Sequence, residues 1–403
     1  MNFDDNSLYN IKSSVDGKRY SLFELATWKN GLAFKKINFC ETGVPVIKIA
    51  ELNNGIGGTT AYTQQTFSED VHLCKGDLLF SWSGNPQTSI DIFRFNLDEG
   101  WLNQHIFKVT PDEKIVDRDY FYFLMKNLKP HFTQIATNKQ TTGLGHVTIA
   151  DIKRMSVVIP SLDVQREMVS YIKPIDDKIE LNNEINNNLE QQAKAIFSNE
   201  FLTLETLPDG WKQASLIDIA DYLNGLAMQK YRPTADETGI PVLKIKELRQ
   251  GCCDDNSELC SPSIKSEYII HDGDVIFSWS GSLLVDFWCG GICGLNQHLF
   301  KVTSNKYNKW FYYAWTKHHL DRFIAVAADK ATTMGHIKRD ELSKAEVLIP
   351  NEADYKRIET LLQPIYDLII ANRIENKKLA ETRDTLLPKL MTGEIDISEV
   401  DYE

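Results

Sequence analysis

The chain is written twice, and that constrains its fold more than any other feature. The block NGLA at 30–33 returns at 224–227, a shift of 194, and GVPVIKIAEL at 43–52 returns as GIPVLKIKEL at 239–248, a shift of 196. GDLLFSWSG at 76–84 returns as GDVIFSWSG at 273–281, shifted by 197, and LNQHIFKV at 102–109 returns as LNQHLFKV at 295–302, shifted by 193. Gly145 and His146 match Gly335 and His336, and Ile159 and Pro160 match Ile349 and Pro350, both at a shift of 190. Collinear blocks with a drifting offset mean two related units that differ by short insertions and deletions in loops. The 403 residues hold two such units and their connections.

Each copy has the same grammar. Residues 44–52 and 78–82 are apolar runs bounded by Gly and Pro, and 105–109 alternates, so all three are expected as strands. An aromatic helix is expected at 119–129, echoed at 309–320, then a polar loop at 137–145, echoed at 329–335. A short strand ends at Pro160 or Pro350, and a long helix almost free of Gly follows it. The glycine-rich stretch 54–58 follows a strand and precedes β-favouring residues, so it reads as a hairpin turn and not a nucleotide-binding loop.

The two long helices carry narrow apolar stripes. Ile175, Ile179, Asn182, Ile185, Leu189, Ala193 and Ile196 recur close to every 3.5 residues, as do Ile358, Leu361, Ile365, Ile369, Asn372, Leu379 and Leu386 with one gap. Ser161 and Asn351 stand at N-cap positions, with Asp354 placed for a reciprocal cap on Asn351. Pro174 and Pro364 match at the 190 shift and are expected to kink or restart their helices. Asn182 and Asn372 also match, and a single polar residue on a seam fixes register at some cost in stability. The fold class expected is therefore α/β (α+β). Two similar globular domains are separated by two long antiparallel coiled-coil helices in a pseudo-twofold repeat, with Asn182 and Asn372 near one another. The alternative is that each helix packs on its own domain.

Composition excludes several classes of function. The net charge is −12, but 162–200 carries −4 and 351–403 carries −5, so the remaining chain is close to neutral. Overall acidity therefore says nothing against one face meeting phosphates. Residues 275–295 hold one charge, Asp286, yet four glycines break any membrane helix there. The start lacks a basic region followed by an apolar core, and seven cysteines without framework spacing fit reduced thiols, so a cytoplasmic protein is expected. There is no Pro-Pro pair, which excludes the motif of amino-methyltransferases, no phosphate-binding loop and no HExxH. Cys252, Cys253, Cys260, Cys289 and Cys293 lack paired spacing and have no counterparts in the first copy, so no metal site is expected. Trp28, Trp101, Trp211, Trp288, Trp310 and Trp315 are expected in cores, and no catalytic residue is expected anywhere.

The recurring polar loops are the candidate binding residues. Ser81, Trp82, Ser83 and Asn85, with Ser278, Trp279 and Ser280, place small donors around one aromatic. Gln104, His105, Gln297 and His298 add amides and imidazoles. Lys139, Gln140, Thr141, Thr142 and His146, with Lys330, Thr332, Thr333 and His336, add cations and hydroxyls. Amides read adenine edges with two hydrogen bonds, whereas Lys and hydroxyl groups hold phosphates. The same residues could instead bond within each domain, because duplicated residues also preserve a fold. A helix from Ile175 to about Ser198 spans roughly 36 Å at 1.5 Å per residue, close to one turn of B-DNA.

Three segments resemble a known family. LPDGW at 207–211 is similar to the start of a recognition domain in specificity subunits of type I restriction–modification systems, and IPSLDVQR at 159–166 to the approach to that family's first conserved helix. LLPKLMTGEI at 386–395 resembles its C-terminal signature. The first copy departs from the pattern, lacking the Leu-Pro and the Trp at its start. The resemblance implies a non-catalytic subunit with recognition domains at 1–161 and 205–350 and spacer helices at 162–204 and 351–403. Its expected partners are double-stranded DNA, two methylation subunits and two restriction subunits, with no membrane. It implies no cofactor in this chain, since S-adenosylmethionine, ATP and Mg belong to the partners. A specificity subunit of a combined enzyme outside type I, or an orphan DNA-binding protein, is the alternative.

Overall fold

The computed structural model describes residues 8–140, 143–329, 337 and 339–395, with only the backbone at Ile37 and Asp329. The chain divides into two compact units. One is built from the described residues up to Asp176 and from Glu381 onward, the other from Asp177–Ala380. Both boundaries fall inside the long helices, Leu162–Phe197 and Glu352–Thr392.

In the first unit, Ala26–Asn30, Ile106–Pro111, Leu78–Ser81 and Asp91–Arg94 form an antiparallel sheet in that order. A second sheet orders Tyr62–Thr63, Val44–Ile47, Glu99–Leu102 and His72–Cys74, its middle pair parallel. Lys18–Ser21 pairs with Ser156–Ile159, so the start of the repeat closes on the strand that leads into the long helix. The second unit repeats this topology. Asp221–Asn224, Leu299–Thr303, Val275–Ser278 and Leu284–Phe287 form the antiparallel sheet. Leu259–Cys260, Ile240–Leu243, Cys293–Leu295 and Ile269–Ile270 form the mixed one. Lys212–Ser215 closes on Glu346–Ile349.

The repeated blocks have structural reasons. Asp77 accepts from the Cys74 N–H at 2.9 Å and pairs with Lys108 at 2.7 Å. Asp274 and Lys301 do the same at 2.8 Å, which ties the GD turn to the LNQHxFKV strand. At the NGLA block the chain bridges the LNQH turn, with Leu32 N–H to Leu102 O at 2.9 Å and Gln104 N–H to Leu32 O at 2.9 Å. A Cβ on Gly31 would lie 2.2 Å from Asn103 O, and one on Gly225 would lie 2.2 Å from Asn296 O. Only glycine fits there.

Several expectations are corrected. Only Val44–Ile47 of 44–52 is strand. Ile49–Asn54 is a short helix, because the Glu51 carboxylate accepts the Lys48 N–H at 3.0 Å and caps it. The stretch 54–58 therefore follows a helix, which Gly55 terminates at φ 74°. The aromatic helices, Arg118–Asn127 and Lys309–His318, are each followed by another, Lys129–Asn138 or Leu320–Asp329. Thr137 is consequently helical and not in a loop. Neither Pro174 nor Pro364 interrupts its helix, since each run is continuous. Asn351 and Asp354 form the expected cap, with Asp354 N–H to Asn351 Oδ1 at 2.9 Å. Five of the six tryptophans expected in cores are at most 7% exposed, and Trp28 packs half-buried against the first core.

The second unit contains an antiparallel helix contact, and it corrects the seam. Asn182 donates to Asn376 Oδ1 at 2.8 Å and Glu375 at 2.7 Å, and Asn372 donates to Asn186 Oδ1 at 2.9 Å. Asn182 and Asn372 therefore lie on the same contact without a hydrogen bond to each other among the described residues. Each pairs with the other's neighbour one turn on, so the contact is reciprocal under the 190 shift. Leu361 is 43% exposed and Leu362 fully buried, which moves that seam position by one residue.

Each unit also seats its sheet against the helices in its own way. In the first, Arg94 reaches Asp176 at 3.0 Å and Asp119 at 3.0 Å, and lies 3.9 Å above the Tyr122 ring. Arg383 reaches Asp176 from the other side at 2.9 Å. In the second, Phe287 stacks on Tyr313 at 3.9 Å, with Tyr366 5.2 Å from Tyr313. The second seat is ionic as well, with Arg373 bridging Asp286 at 2.7 Å and Glu190 at 2.8 Å.

Candidate functional site

The candidate residues gather at one end of each antiparallel sheet, because the register aligns Asn30 with Phe107 and Ile106 with Ser81. Trp82 leaves the end of its strand half-buried. Its indole N–H donates to Asn30 Oδ1 at 3.2 Å, and its ring stacks on Phe107 at 5.7 Å and 26°. His105 and His146 flank it at 5.6 and 5.9 Å between ring centroids. His146 arrives because Gly145–His146 pairs with Ser83–Gly84, which sets His146 Nδ1 2.9 Å from Ser83 Oγ. The Gln104 amide lies 3.1 Å from His105 Nε2. Ser81 Oγ and His105 Nδ1 are buried without a hydrogen-bond partner among the described residues.

The second unit builds a related site in which Ser280 meets His298, where in the first unit Ser83 meets His146. The Trp279 N–H donates to Asn224 Oδ1 at 3.0 Å, and the ring packs on Phe300 at 5.6 Å and lies 6.3 Å from His298. Ser280 Oγ is 3.2 Å from His298 Nδ1, and the Gln297 amide is 3.4 Å from His298 Nε2. Ser278 is fully buried and donates to the carbonyls of Ser280 and Ser282, a packing role. Asn30 and Asn224 escaped the sequence reading. The signal was present, since both head the NGLA block, but nothing along the chain links them to a tryptophan about 50 residues away.

Other candidates lie elsewhere or are engaged. Lys139 pairs with the Asp151 carboxylate, which is 1% exposed and also accepts from Tyr9 at 3.1 Å and from the Thr148 hydroxyl at 2.7 Å. The Lys139 ammonium is therefore committed within its own unit. Asn85 Oδ1 accepts the Gln87 and Thr88 N–H groups at 2.9 and 3.3 Å, so it shapes a turn, and Gln140 is exposed. Thr141, Thr142, Lys330, Thr332, Thr333 and His336 lie outside the described residues.

Burial alone would push the Asp151 carboxyl up, but the bonds from Lys139 and Thr148 outweigh it and hold the group below its ordinary 3.8. That stabilisation is complete above the ordinary carboxylate range and disappears as pH falls through the lowered value, so its loss belongs below about pH 4. Lys139→Met removes one of the lowering bonds. Its acid unfolding, followed by circular dichroism, is expected to begin at higher pH than in the parent, and coincident curves would deny the pair a structural role.

Chemically, each site is a half-buried aromatic plane edged by amides, imidazoles and hydroxyls. Such a surface stacks and exchanges hydrogen bonds. No three His, Cys, Asp or Glu side chains converge for a metal among the described residues. Burial pushes the thiols of Cys253, Cys260 and Cys289 up to about 11, away from nucleophilic use. No described helix is long and apolar enough to cross a membrane.

Residues 15–191 and 208–381 match the family described as type I restriction modification DNA specificity domain, one match per copy. The chain is 25% identical over 325 residues to the type I restriction enzyme MjaIX specificity subunit of Methanocaldococcus jannaschii, covering 74% of this chain and 73% of that one. It is 21% identical over 400 residues to the HindI specificity subunit of Haemophilus influenzae, covering 80% and 87%. The crystal structure of a type I restriction–modification S subunit from M. genitalium shares the fold at a TM-score of 0.55 and 13% identity, covering 94% of this chain and 97% of that one.

Proposed function

Because the chain belongs to the type I restriction modification DNA specificity family, whose members are non-catalytic subunits of restriction–methylation complexes, we propose that it reads a split, asymmetric DNA sequence with one half-site per recognition domain. The domains are 1–161 and 205–350, and 162–204 and 351–403 form the spacers. Two methylation subunits and two restriction subunits complete the complex in the cytoplasm. They supply adenine-N6 chemistry with S-adenosylmethionine, and ATP- and Mg-dependent cutting. The observation that carries this reading is the same tryptophan, amide and imidazole cluster built at the end of both antiparallel sheets. Leu361 and Leu368, seven residues apart on the second long helix, together with Leu181 on the first, are exposed and offer apolar contacts to helical partners.

Stacking and bidentate amide contacts are each worth about 1–3 kcal/mol. Trp82→Ala and Gln104→Ala are therefore each expected to weaken sequence-specific binding about tenfold or more. The assay is a mobility shift of the complex with the methylation subunit on its methylated motif. Because Trp82 also packs on Phe107, circular dichroism must show the variants folded. Undiminished binding by folded variants would remove the cluster from the interface.

A further inference from the structure

Two reading heads that share a tryptophan, an amide and an imidazole in similar arrangement cannot by those groups alone distinguish two different half-sites. The discriminating groups must lie where the copies differ beside the shared cluster. One place does so sharply. After the identical SWSG segment, six residues separate Gly84 from the returning strand at Asp91, whereas two separate Gly281 from Leu284.

The longer loop is rigid. Asn85 Oδ1 takes the N–H groups of Gln87 and Thr88, and Asn85 O takes that of Ser89 at 2.8 Å. Pro86 is buried, and its carbonyl accepts from the Thr133 hydroxyl at 3.3 Å. Thr88 O accepts from the Asn53 amide at 3.2 Å. Gly84 closes the base at φ 130°, where a Cβ would meet that of Ser89 at 2.6 Å. This scaffold holds out Gln87 and Thr88, both exposed, and the Gln87 amide has no hydrogen-bond partner among the described residues. Gln87 stands at the rim of an open cavity of about 780 Å³ whose walls include Gln134, Thr137 and the ion pairs of Lys126 and Lys129 with Asp91 at 3.1 and 2.7 Å. An exposed amide carried on a rigid turn has the chemistry of an adenine contact.

We propose that Gln87, supported by Thr88, is a base-reading residue that sets the specificity of the first domain alone. The proposal rests on the DNA-recognition reading above. The test is to map methylated motifs in cells carrying the full complex with the parent chain, Gln87→Ala or Gln87→Glu. For Gln87→Ala the expected result is retained methylation, with discrimination relaxed about tenfold at one or two adjacent positions of one half-site and the other half unchanged. For Gln87→Glu, preference at that position is expected to move toward cytosine, whose amino group a carboxylate accepts. An unchanged motif, relaxation in both halves, or loss of methylation at every sequence would overturn the assignment. A parent motif that is not split, or methylation independent of this chain, would instead overturn the reading beneath it.

Discussion

Gly31→Ala is expected to destabilise the first unit by about 3 kcal/mol or more, the range of severe overpacking against atoms that cannot yield. The added methyl would sit 2.2 Å from Asn103 O and 2.4 Å from Leu102 O. Both belong to backbone held by the Leu32 and Gln104 hydrogen bonds. Gly225→Ala should match it in the second unit, where Asn296 O stands at the same 2.2 Å. Gly251→Ala is the control, because Gly251 is left-handed at φ 75° with nothing within 4 Å of its missing Cβ, so only the conformational cost of about 1 kcal/mol applies. Urea denaturation of the three variants reads the difference. If Gly31→Ala lost no more than Gly251→Ala, the close approach would not explain the repeated block. Asn30 precedes this glycine and holds the Trp82 indole, so the same variant should also displace the candidate site.

The second large effect comes from the ion pairs that seat the first unit's sheet. Asp176 is 4% exposed and held by Arg94 and Arg383. Replacing both arginines by methionine removes both ion-pair partners of a buried carboxylate and leaves only the more distant charge of Lys126, which costs about 3 kcal/mol. Asp176→Asn should cost less, because both guanidiniums keep some access to water, with side-chain exposures of 17% and 26%. In the second unit, Tyr366→Phe should change little, since the ring that packs near Tyr313 and Phe287 is retained. Hydrogen exchange resolved by unit checks this. The double arginine variant should accelerate exchange in the sheet of Ala26–Asn30, Leu78–Ser81, Asp91–Arg94 and Ile106–Pro111, while Asp221–Asn224 and its partners keep their protection. Equal acceleration in both sheets would mean the pair does not act locally.

The duplication was legible because blocks such as SWSG and LNQH meet steric and hydrogen-bond demands that recur identically in each copy. The long helices were legible from period and caps. What escaped was set by tertiary partners. Residues 49–52 look like a continuing strand, and only the Glu51 carboxylate closing on the Lys48 N–H turns them into a helix. Asn182 and Asn372 share a shift but no hydrogen bond, because antiparallel helices pair residues whose numbers run in opposite directions, so each bonds the other's neighbour. Lys139 looked like a phosphate ligand because Asp151, its partner, lies beyond the loop that follows it. Trp82, Gln104, His105 and His146 do come together as one cluster, and the amide that positions the indole could not be found from spacing alone.

The division of the chain also dictates a timetable. Leu387, Leu390 and Met391 are buried in the first unit's core, and Ser14 donates its backbone N–H to Thr392 O at 2.8 Å. The unit translated first therefore lacks part of its interior until the ribosome has passed residue 391. The unit spanning Asp177–Ala380 has all of its own segments earlier. During synthesis the later-encoded half is the one able to finish first, while the earlier half waits with an unfilled apolar groove in need of protection from aggregation.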